Sequence, residues 1–426
     1  MKENIFIRFG YNISSLVIGS ILILISPFLF KKRDKIIFGS NPLISNKYWS
    51  NSMKDNNLDS VTLMANYFQK INSKSDFDLY FSDLVPILFR IKYIEYFFQL
   101  FFVWLYVIRN GKVVVTNFHG LAFKNFFWKL EYVLYKINGI KTVFIPYGSD
   151  AYMYSRIKSP DLQNALLLSY PSAAKMEEKI KNKISFWNKR ADVIVAGFMG
   201  IDGFSRWDII IFSMFCIDLI KIKPKILYSN NNGHNGVVKI AHCPNHRGFK
   251  GTEFLLESVK ILKQEGLNIE LVLYEGVKNK ELLKSISEVD ILCEQLIFGY
   301  GFNAIEGMAV GLPVLTNLEN EEYTSIFRRY SFLNECPILS ASPESLKDQL
   351  RLLITNPELR KELGQLGRRY VEKYHSYKAA QYMFTNIFKK LDGEDIDLMN
   401  LYHPLKSEYV KTNYIKTPLV NNRYVE

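Results

Sequence analysis

The chain has 426 residues, of which 48% are hydrophobic and 23% are charged. This length suits two or three domains, and this composition excludes a chain that is disordered throughout. The four cysteines include no closely spaced pair, which argues against a disulfide framework or a cysteine zinc site. Residues 1–230 carry 30 basic and 17 acidic residues, whereas residues 231–426 carry 24 and 25. This shift in charge indicates two bodies with different surroundings.

The first predicted element is an uncharged apolar segment, Ile13–Phe30. Its length is at the lower limit for crossing ~30 Å of hydrocarbon, and the basic run from Lys31 would keep the rest of the chain in the cytoplasm. KKRDK is not the small-residue cleavage site of a secretory signal. We therefore expect residues 1–34 to form an anchor or interfacial helix at the cytoplasmic face of the cell membrane. A buried first helix is the alternative, since Pro27 and several serines interrupt the segment.

A second apolar segment, Tyr93–Ile108, is too short to span a bilayer and is predicted to be a helix. Its aromatic side chains cover most of the helix circumference. Such a helix belongs to a core or, beside a basic half, to a surface that lies on anionic lipid.

Strands and helices alternate through the rest of the first half. Strands are predicted at 35–39, 112–117, 141–146, 192–196 and 208–212, with a polar turn after the first and a helix at 122–137. This β–α–β spacing is what a parallel sheet with crossover helices needs.

The polar segment 226–236 has linker composition and coincides with the change in charge. Strands and helices alternate more regularly beyond it, and the tail after Gly393 is polar and weakly patterned. The predicted fold is α/β, with two doubly wound Rossmann-like domains facing a central cleft. The predicted N-terminal domain is 35–225, the linker 226–236 and the C-terminal domain 237–375. A C-terminal helix that can cross back follows at 376–392, and the tail is 393–426.

Two polar residues stand where neighbouring strands of the N-terminal half end. His119 follows KVVVTNF, and Asp150 follows KTVFIP in the sequence YGSD. A lone His or Asp at a strand end is usually structural, but two at adjacent strand ends indicate a site at the cleft.

The segment HCPNHRGFKGT, residues 242–252, follows a strand and precedes a helix. Arg247 and Lys250 would lie at the carboxyl end of that strand, where a bound diphosphate needs its charge neutralised. Solvated loop cations are the alternative. A zinc site built from the His and Cys residues of this segment lacks a fourth ligand nearby.

The segment GYGFNAIEGMAVGLPV, which starts at Gly299, predicts a glycine turn that leads directly into a helix. Free backbone N–H groups and the positive helix end would then point at one spot, which is the chemistry of a phosphate site. Glu306, inside that helix, could accept two hydrogen bonds from a ribose diol. The alternative is an ordinary βαβ unit with a solvent-facing glutamate.

Together these segments, with LVLYEGV, VDILCEQ and the closing run from Ser342, resemble family 4 glycosyltransferases of the GT-B fold, especially bacterial members that build capsule, lipopolysaccharide or other surface glycans. The resemblance runs from about Val237 to Leu391, and rests in the N-terminal half on FHG and YGSD. It implies a hexosyltransferase that moves a sugar from a nucleotide donor to an acceptor, with retention and without a metal or other cofactor. Uridine diphosphate is the expected nucleotide, and guanosine diphosphate is the alternative.

Carried over by position, the resemblance implies a role for each of these residues. Arg247 and Lys250 neutralise the diphosphate, and His119 and Asp150 contact the transferred sugar or the acceptor hydroxyl. The remaining positions bind the donor, as the phosphate loop, the ribose-binding acid or the surroundings of the base: Asn245, Glu275, Gly299, Tyr300, Gly301, Phe302 and Glu306. The expected acceptor is a glycan or a lipid-linked glycan, and a membrane surface is the expected location.

One position departs from the family pattern. Phe298 stands eight residues before Glu306, where the family has the first acid of a Glu-x7-Glu pair, and Glu294 and Gln295 are the nearest polar replacements. This departure leaves two alternatives open: a degenerate transferase homologue that acts as a scaffold, and a nucleotide-sugar epimerase of the same architecture. Nucleic-acid binding is not expected, because the basic residues are scattered and show no recognition motif.

Overall fold

The structure is a computed structural model that describes residues 5–69, 72–90, 95–123, 125–277 and 279–425. It contains two parallel sheets, each covered by helices, and thereby confirms the predicted α/β fold with two doubly wound domains.

The first sheet has seven parallel strands in the order β3-β2-β1-β4-β5-β6-β7. Because the chain leaves β1 on one side and continues on the other side at β4, the loops that follow these two strands border a crevice. The strands are β1 Lys35–Ser40, β2 Ser60–Met64, β3 Leu79–Tyr80, β4 Gly111–Thr116, β5 Lys141–Phe144, β6 Val193–Ala196 and β7 Ile209–Ile210.

The helices of this half pack on both faces of the first sheet. They are α1 Ile5–Ile25, α2 Ile44–Asp55, α3 Glu95–Asn110, α4 Leu130–Asn138, α5 Pro160–Ser169, α6 Pro171–Ala174 and α7 Glu177–Arg190.

The second sheet has five parallel strands in the order β12-β11-β10-β8-β9. Its crevice lies between β8 and β10, since the chain leaves β8 to form β9 on one edge and returns to the other side at β10. The strands are β8 Val238–His242, β9 Ile269–Leu273, β10 Ile291–Cys293, β11 Val314–Thr316 and β12 Leu339–Ser340.

The remaining elements surround this sheet or follow it in the chain. They are α8 Arg247–Lys250, α9 Thr252–Gln264, α10 Asn279–Ile286, α11 Phe302–Val310, α12 Glu321–Tyr330, α13 Leu346–Thr355, α14 Pro357–Tyr374, α15 Tyr377–Leu391, α16 Glu408–Lys411, and a hairpin of β13 Leu419–Val420 and β14 Arg423–Tyr424.

The C-terminal helix α15 crosses back to the first domain, as predicted. The Phe384 ring lies 5.4 Å from that of Phe38 in β1. The Gln381 amide donates a hydrogen bond of 2.9 Å to the carbonyl of Ser52 in α2. These contacts join the end of the chain to the sheet at its beginning.

Three local predictions were wrong. The polar turn predicted after β1 is helix α2, because Trp49 and Met53 lie one turn apart and bury one face of it. The helix predicted at 122–137 begins as a 3-10 turn and becomes α-helical only at Leu130, since the buried Glu131 carboxylate accepts hydrogen bonds from the amides of residues 121–123 and holds them in a loop. The tail is not a polar appendage, because apolar side chains bury it: Leu398, Leu401, Tyr402, Val410, Ile415 and Leu419.

The apolar segment at the N-terminus forms most of α1, which packs against α3 and α4 of the first domain. Of the helices that the structure describes, none is long and apolar enough to cross a bilayer. The second apolar segment forms α3, with one face buried in the core and Tyr93 outside the described residues.

Candidate functional site

The candidate site lies at the crevice of the second sheet, where the carboxyl ends of β8 and β10 meet. Residues 243–250 follow β8, and residues 294–301 follow β10 and lead into α11. Parallel pairing of β8 with β10 brings these two segments to the same edge of the sheet. The two strongest signals in the sequence therefore meet in space.

Lys250 and Glu294 form an ion pair at the centre of this edge. The Lys250 side chain is 9% exposed and that of Glu294 is 1% exposed. The ammonium group also donates to Oε1 of Gln295 at 3.1 Å, and the second carboxylate oxygen of Glu294 accepts from the backbone N–H of Gly301 at 3.3 Å. One carboxylate therefore takes both the cation and the first free N–H of α11.

The turn before α11 has the geometry of an anion site. Gly299 adopts a φ of +76°, and a Cβ atom there would lie 2.8 Å from the Phe198 ring, so only glycine fits. Gly301 is the N-cap and has no side chain to satisfy the free N–H groups of the first turn. Glu294 supplies one acceptor, at the position where the helix end favours negative charge.

Glu306 is buried on α11 at 4% exposure, which excludes the solvent-facing alternative. Asn303 lies one turn before it, and both polar atoms of its amide are buried next to the Cys243 thiol. Burial raises the pKa of the nearby Cys243 thiol to about 11, against the opposing effect of the Asn303 amide. The i, i+3 spacing to Glu306 could have indicated Asn303 from the sequence.

Tyr48, from α2 of the first domain, faces the same helix. Its ring lies 6.1 Å from that of Phe302. Burial, and then the charge of Glu306, raise the pKa of Tyr48 above its usual value. No pattern in the sequence indicated Tyr48, because its place depends on how the two domains meet.

Arg247 lies with two acids instead of with Lys250. Its guanidinium pairs with Glu253 at 2.9 Å and with Glu275 at 3.0 Å, and the side chain is 42% exposed. Asn245 is also exposed. The structure thus brings together Lys250 and the start of α11. Arg247, which follows β8, and Glu275, which follows β9, form a separate ion pair.

Asp150 and His119 lie at the carboxyl ends of β5 and β4, as expected from the sequence. The buried Asp150 carboxylate accepts hydrogen bonds from the backbone N–H groups of Phe118, Tyr147 and Gly148 at 3.0 to 3.1 Å. Asp150 therefore holds the two loops together, and its direct partners are backbone amides.

Burial sets the protonation of both groups. It raises the pKa of Asp150 to about 6, although the three amide hydrogen bonds oppose the change. It lowers the pKa of His119 to about 4, with a smaller contribution from the charge of Lys183. His119 is therefore a neutral imidazole at pH 7, and its ring meets that of Tyr147 edge to face at 5.9 Å.

The aromatic residues of the predicted phosphate loop pack against the first domain. The buried Tyr300 hydroxyl bonds to Tyr370 at 3.1 Å and to His375 at 3.2 Å, so a donor can meet only the backbone of Tyr300. The Phe302 ring stacks at 4.4 Å on Phe215. Phe298, at the position of the missing acid, is 1% exposed and packs on Phe198 at 5.6 Å.

Two further contacts close the domains over the site. The Tyr323 hydroxyl donates to Asp202 at 2.6 Å and accepts from the backbone N–H of Lys158 at 2.8 Å. Helix α5 lies against α8, where a Cβ on Gly248 would be 3.3 Å from the Leu168 side chain. The first domain thus covers the turn that carries Lys250, which limits the access of water.

The ring of His242 is fully used in holding the loops. Its Nδ1–H donates to the carbonyl of Cys293 at 2.9 Å, and its Nε2 accepts from the Thr252 hydroxyl at 2.8 Å. Within the described ranges, no three His, Cys, Asp or Glu side chains are grouped so that they could hold a metal ion.

Comparison with known proteins gives a weak sequence relationship and distant structural similarities. No family model matches the chain. It is 25% identical over 176 residues to an uncharacterized glycosyltransferase of Methanocaldococcus jannaschii, an alignment that covers 36% of this chain. The alignment spans about half of the length of that relative, 47%.

Three solved structures are distantly similar to this chain, each over at least 84% of its length. UDP-bound MnaA of S. aureus has 11% identity and a TM-score of 0.46, with 97% of its own chain covered. The glycosyltransferase SnogD of Streptomyces nogalater has 11% identity and a TM-score of 0.43, with 100% covered. The wall teichoic acid polymerase TagF has 12% identity and a TM-score of 0.42, with 98% covered. These scores are low, and the strand order itself defines the fold.

Proposed function

We propose that this chain is a GT-B glycosyltransferase that moves a hexose from a nucleotide diphosphate, expected to be uridine diphosphate, to a glycan or lipid-linked glycan acceptor. Surface-polysaccharide synthesis with retention at the anomeric carbon is the specific process we propose. The names of the sequence relative and of SnogD agree with sugar transfer.

One observation carries the proposal. The Lys250 ammonium and the first free N–H of α11 converge on a single buried carboxylate, that of Glu294, at the switch point of the second sheet. A cation and a helix N-terminus that share one anion form a site for a phosphate group. We infer that the donor diphosphate takes the place of the Glu294 carboxylate when it binds.

This arrangement suits the departure of a nucleotide diphosphate. When the bond between sugar and phosphate breaks, positive charge builds on the ring and negative charge on the leaving oxygen. Lys250 and α11 lie where that negative charge would develop, and one such group contributes about 3 kcal/mol to lowering a barrier. Once the diphosphate displaces it, Glu294 is the acid that contacts the donor sugar. It thereby takes the role of the family's first acid, whose position Phe298 occupies in this chain. Glu306 binds the ribose.

The acceptor would lie on the first domain. The loops that follow β4 and β5 carry Asn117, His119 and Tyr147, whose polar groups are available for hydroxyl groups of an acceptor. His119 is next to Tyr147 and neutral at pH 7, so it can accept a hydrogen bond from a sugar hydroxyl. Asp150 positions the loops that carry these groups.

Two measurements test the proposal. A screen of nucleoside diphosphates for thermal stabilisation identifies the base, and product analysis with the best donor and a glycan acceptor tests sugar transfer. We expect free nucleoside diphosphate and an extended acceptor to appear together. No stabilisation by any nucleoside diphosphate would refute the proposed site.

A scaffold without turnover is the second candidate, and the packing of Phe298 favours it. Because its ring is buried against Phe198 and lies 5.1 Å from that of Tyr323, the position that holds an acid in the family cannot reach a donor here. A chain that binds the nucleotide but never consumes the donor would fit this candidate. An epimerase would instead convert the donor without an acceptor.

A further inference from the structure

Helix α1 lies along the first domain and is held there by one narrow stripe. Ser15, Ile18, Gly19 and Leu22 are buried at the spacing of one helix face. At Gly19 a Cβ atom would lie 2.6 Å from the Leu130 side chain of α4, so the two helices are in close contact. The helix is therefore docked on the domain and does not extend away from it.

The opposite face of α1 is exposed and apolar except for Ser20. Its apolar side chains are 40 to 71% exposed, although a helix on the surface of a globular protein normally turns polar residues outward. An apolar face of this kind marks an interaction site. It is formed by Ile13, Leu16, Val17, Ile21 and Leu24.

More exposed apolar side chains continue this face beyond the end of α1. Phe28 is 88% exposed and Phe30 is 78% exposed. In the loop before α3, Ile87 is 83% exposed and Leu88 is 86% exposed. Phe30 lines a cavity of about 290 Å³ together with Leu84 and with side chains of α3 that include Phe102.

The ring of Phe89 joins this loop to α3. It lies 4.6 Å from the ring of Phe98 and 5.6 Å from that of Phe102. We call the exposed apolar side chains of α1, of residues 28–30 and of the loop 87–89 together the apolar face, since α1 packs on the same helix α3 that this loop contacts.

Basic residues border the apolar face. Lys31, Lys32 and Arg33 follow Phe30 directly, and the backbone N–H groups of Lys32 and Arg33 both donate to the carbonyl of Arg109. Arg90 follows the exposed loop. The nearby acids include Asp34, which pairs with Lys32 at 2.6 Å, Asp83, which caps the backbone of Tyr80, and Glu95, which accepts from Gln99. Asp59, which pairs with Lys35, also acts on the charge of Lys32.

We propose that the apolar face lies on an anionic lipid bilayer, with α1 in the plane of the interface and the basic border against the lipid phosphates. Apolar side chains next to a cluster of Lys and Arg are what binding to an anionic leaflet needs. A protein partner or a second copy of the chain would have to match both the long apolar stripe and the positive charge.

Sedimentation of the full chain with lipid vesicles tests this proposal without any substrate, so its outcome is independent of the proposed sugar transfer. The vesicles are phosphatidylcholine alone and phosphatidylcholine mixed with phosphatidylglycerol. We expect binding to the anionic vesicles, weaker binding in high salt, and little binding to the neutral ones.

A paired variant, Phe28→Ser with Leu88→Ser, should reduce binding to anionic vesicles at least ~10-fold, since two large apolar side chains no longer enter the lipid. The matched control is Ile226→Ser with Leu227→Ser, because these linker side chains are 89% and 82% exposed and lie outside the apolar face. The control should bind like the unmodified chain, and circular dichroism checks that both variants fold.

Three results would overturn the proposal. The first is the absence of vesicle binding, and the second is equal binding by the paired variant and the control. The third is a dimer in sedimentation velocity that the paired variant converts to a monomer while vesicles bind neither form, which would assign the apolar face to a second copy. Equal binding to neutral and anionic vesicles would also contradict the proposal, because the basic border would then contribute nothing to binding.

Discussion

Lys250 and Glu294 form a buried ion pair although 44 residues separate them in the chain. Neighbouring strands β8 and β10 bring them together, and the same carboxylate accepts from the N–H of Gly301. A buried pair adds little net stability, because desolvation offsets most of the attraction. Its position at the start of α11 is what an anion-binding site requires, and this position is the basis of the site proposed above.

Replacing both partners, as Lys250→Met with Glu294→Gln, should leave the protein folded and lower the turnover of the donor about 10²–10³-fold. The reason is that the leaving diphosphate loses its cation while no unpaired charge stays buried. Lys250→Met alone should cost about 3–5 kcal/mol of unfolding free energy, because it strands the Glu294 carboxylate. Turnover assays and urea denaturation measure the two effects.

The matched control is the pair of Lys373 and Glu335, which lie 2.8 Å apart with side chains 12% and 1% exposed, and outside the proposed site. Lys373→Met with Glu335→Gln tests what the loss of a buried pair does away from the site, together with the hydrogen bonds that Glu335 accepts from Tyr374 and from the backbone N–H of Ile415. The folded molecules of this control variant should turn over the donor at the same rate as the unmodified chain. Equal losses of turnover in the two double variants would show that the effect at Lys250 is structural.

Glu306→Gln should raise the KM for the donor ~10-fold and leave kcat nearly unchanged. A carboxylate makes stronger hydrogen bonds to a ribose diol than an amide does, and an interaction that is equal in substrate and transition state affects only KM. Steady-state kinetics with varied donor measures this. Glu362→Gln, at an exposed position of α14, serves as the control. An unchanged KM in Glu306→Gln would remove this residue from the donor site.

Asp150→Asn should destabilise the first domain by about 1–3 kcal/mol. The carboxylate accepts from Phe118 with one oxygen and from Tyr147 and Gly148 with the other, whereas an asparagine has only one acceptor oxygen. Denaturant unfolding measures the loss, and Asp161→Asn in the first turn of α5 is the control. A variant as stable as the unmodified chain would show that these hydrogen bonds contribute little.

Stability should fall in acid through His375, which joins the two domains. Its Nδ1–H donates to the carbonyl of Phe215 at 2.7 Å, and burial lowers its pKa from 6.5 to about 4. A lowered pKa in the folded state gives stability that is present above pH 6.5 and is lost as the pH falls towards 4. Between pH 7 and pH 4.5 this loss should reach roughly 2–3 kcal/mol.

His375→Gln removes the titrating group. The variant should be less stable than the unmodified chain at pH 7, and this difference in unfolding free energy should become smaller as the pH falls from 7 to 4.5. His234→Gln, at an exposed position of the linker, is the control and should show no such change. A deficit that stays constant from pH 7 to pH 4.5 would show that His375 does not resist protonation in the folded state.

Phe298→Glu should not create the missing acid. The ring is buried against Phe198 and Phe212, so a carboxylate there would be desolvated without a partner. We expect a loss of several kcal/mol, about 3 or more, and no gain in turnover, whereas Phe298→Leu should lose only about 1 kcal/mol. A stable Phe298→Glu variant with faster turnover would mean that this position faces the donor.

The parallel sheets could be predicted from the sequence because their central strands, such as Val113–Val115 and Ile291–Cys293, are short apolar runs next to turns. Helix α2 could not, since its polar residues read as a turn and its buried face exists only against the sheet. Strand β2, residues 60–64, was not predicted, because its sequence SVTLM contains two polar residues, although the sheet buries all five side chains.

The site was predictable only in part, because several of its contacts form only when distant segments of the chain come together. Local spacing indicated the glycine turn at Gly299 and the cation at Lys250. The ion pair with Glu294 depends on strand order, and the positions of Tyr48 and Phe298 depend on contacts between domains. The sequence also indicated Arg247, whose guanidinium instead lies with Glu253 and Glu275, since only a fold shows which acids are within reach.

The most direct test of the central claim, that a diphosphate binds where Glu294 now meets Lys250 and α11, is thermal unfolding with and without uridine diphosphate. The comparison is between the unmodified chain and Lys250→Met with Glu294→Gln. The account predicts that the nucleotide stabilises the unmodified chain and has little effect on the double variant. Equal stabilisation of both by the nucleotide would contradict it.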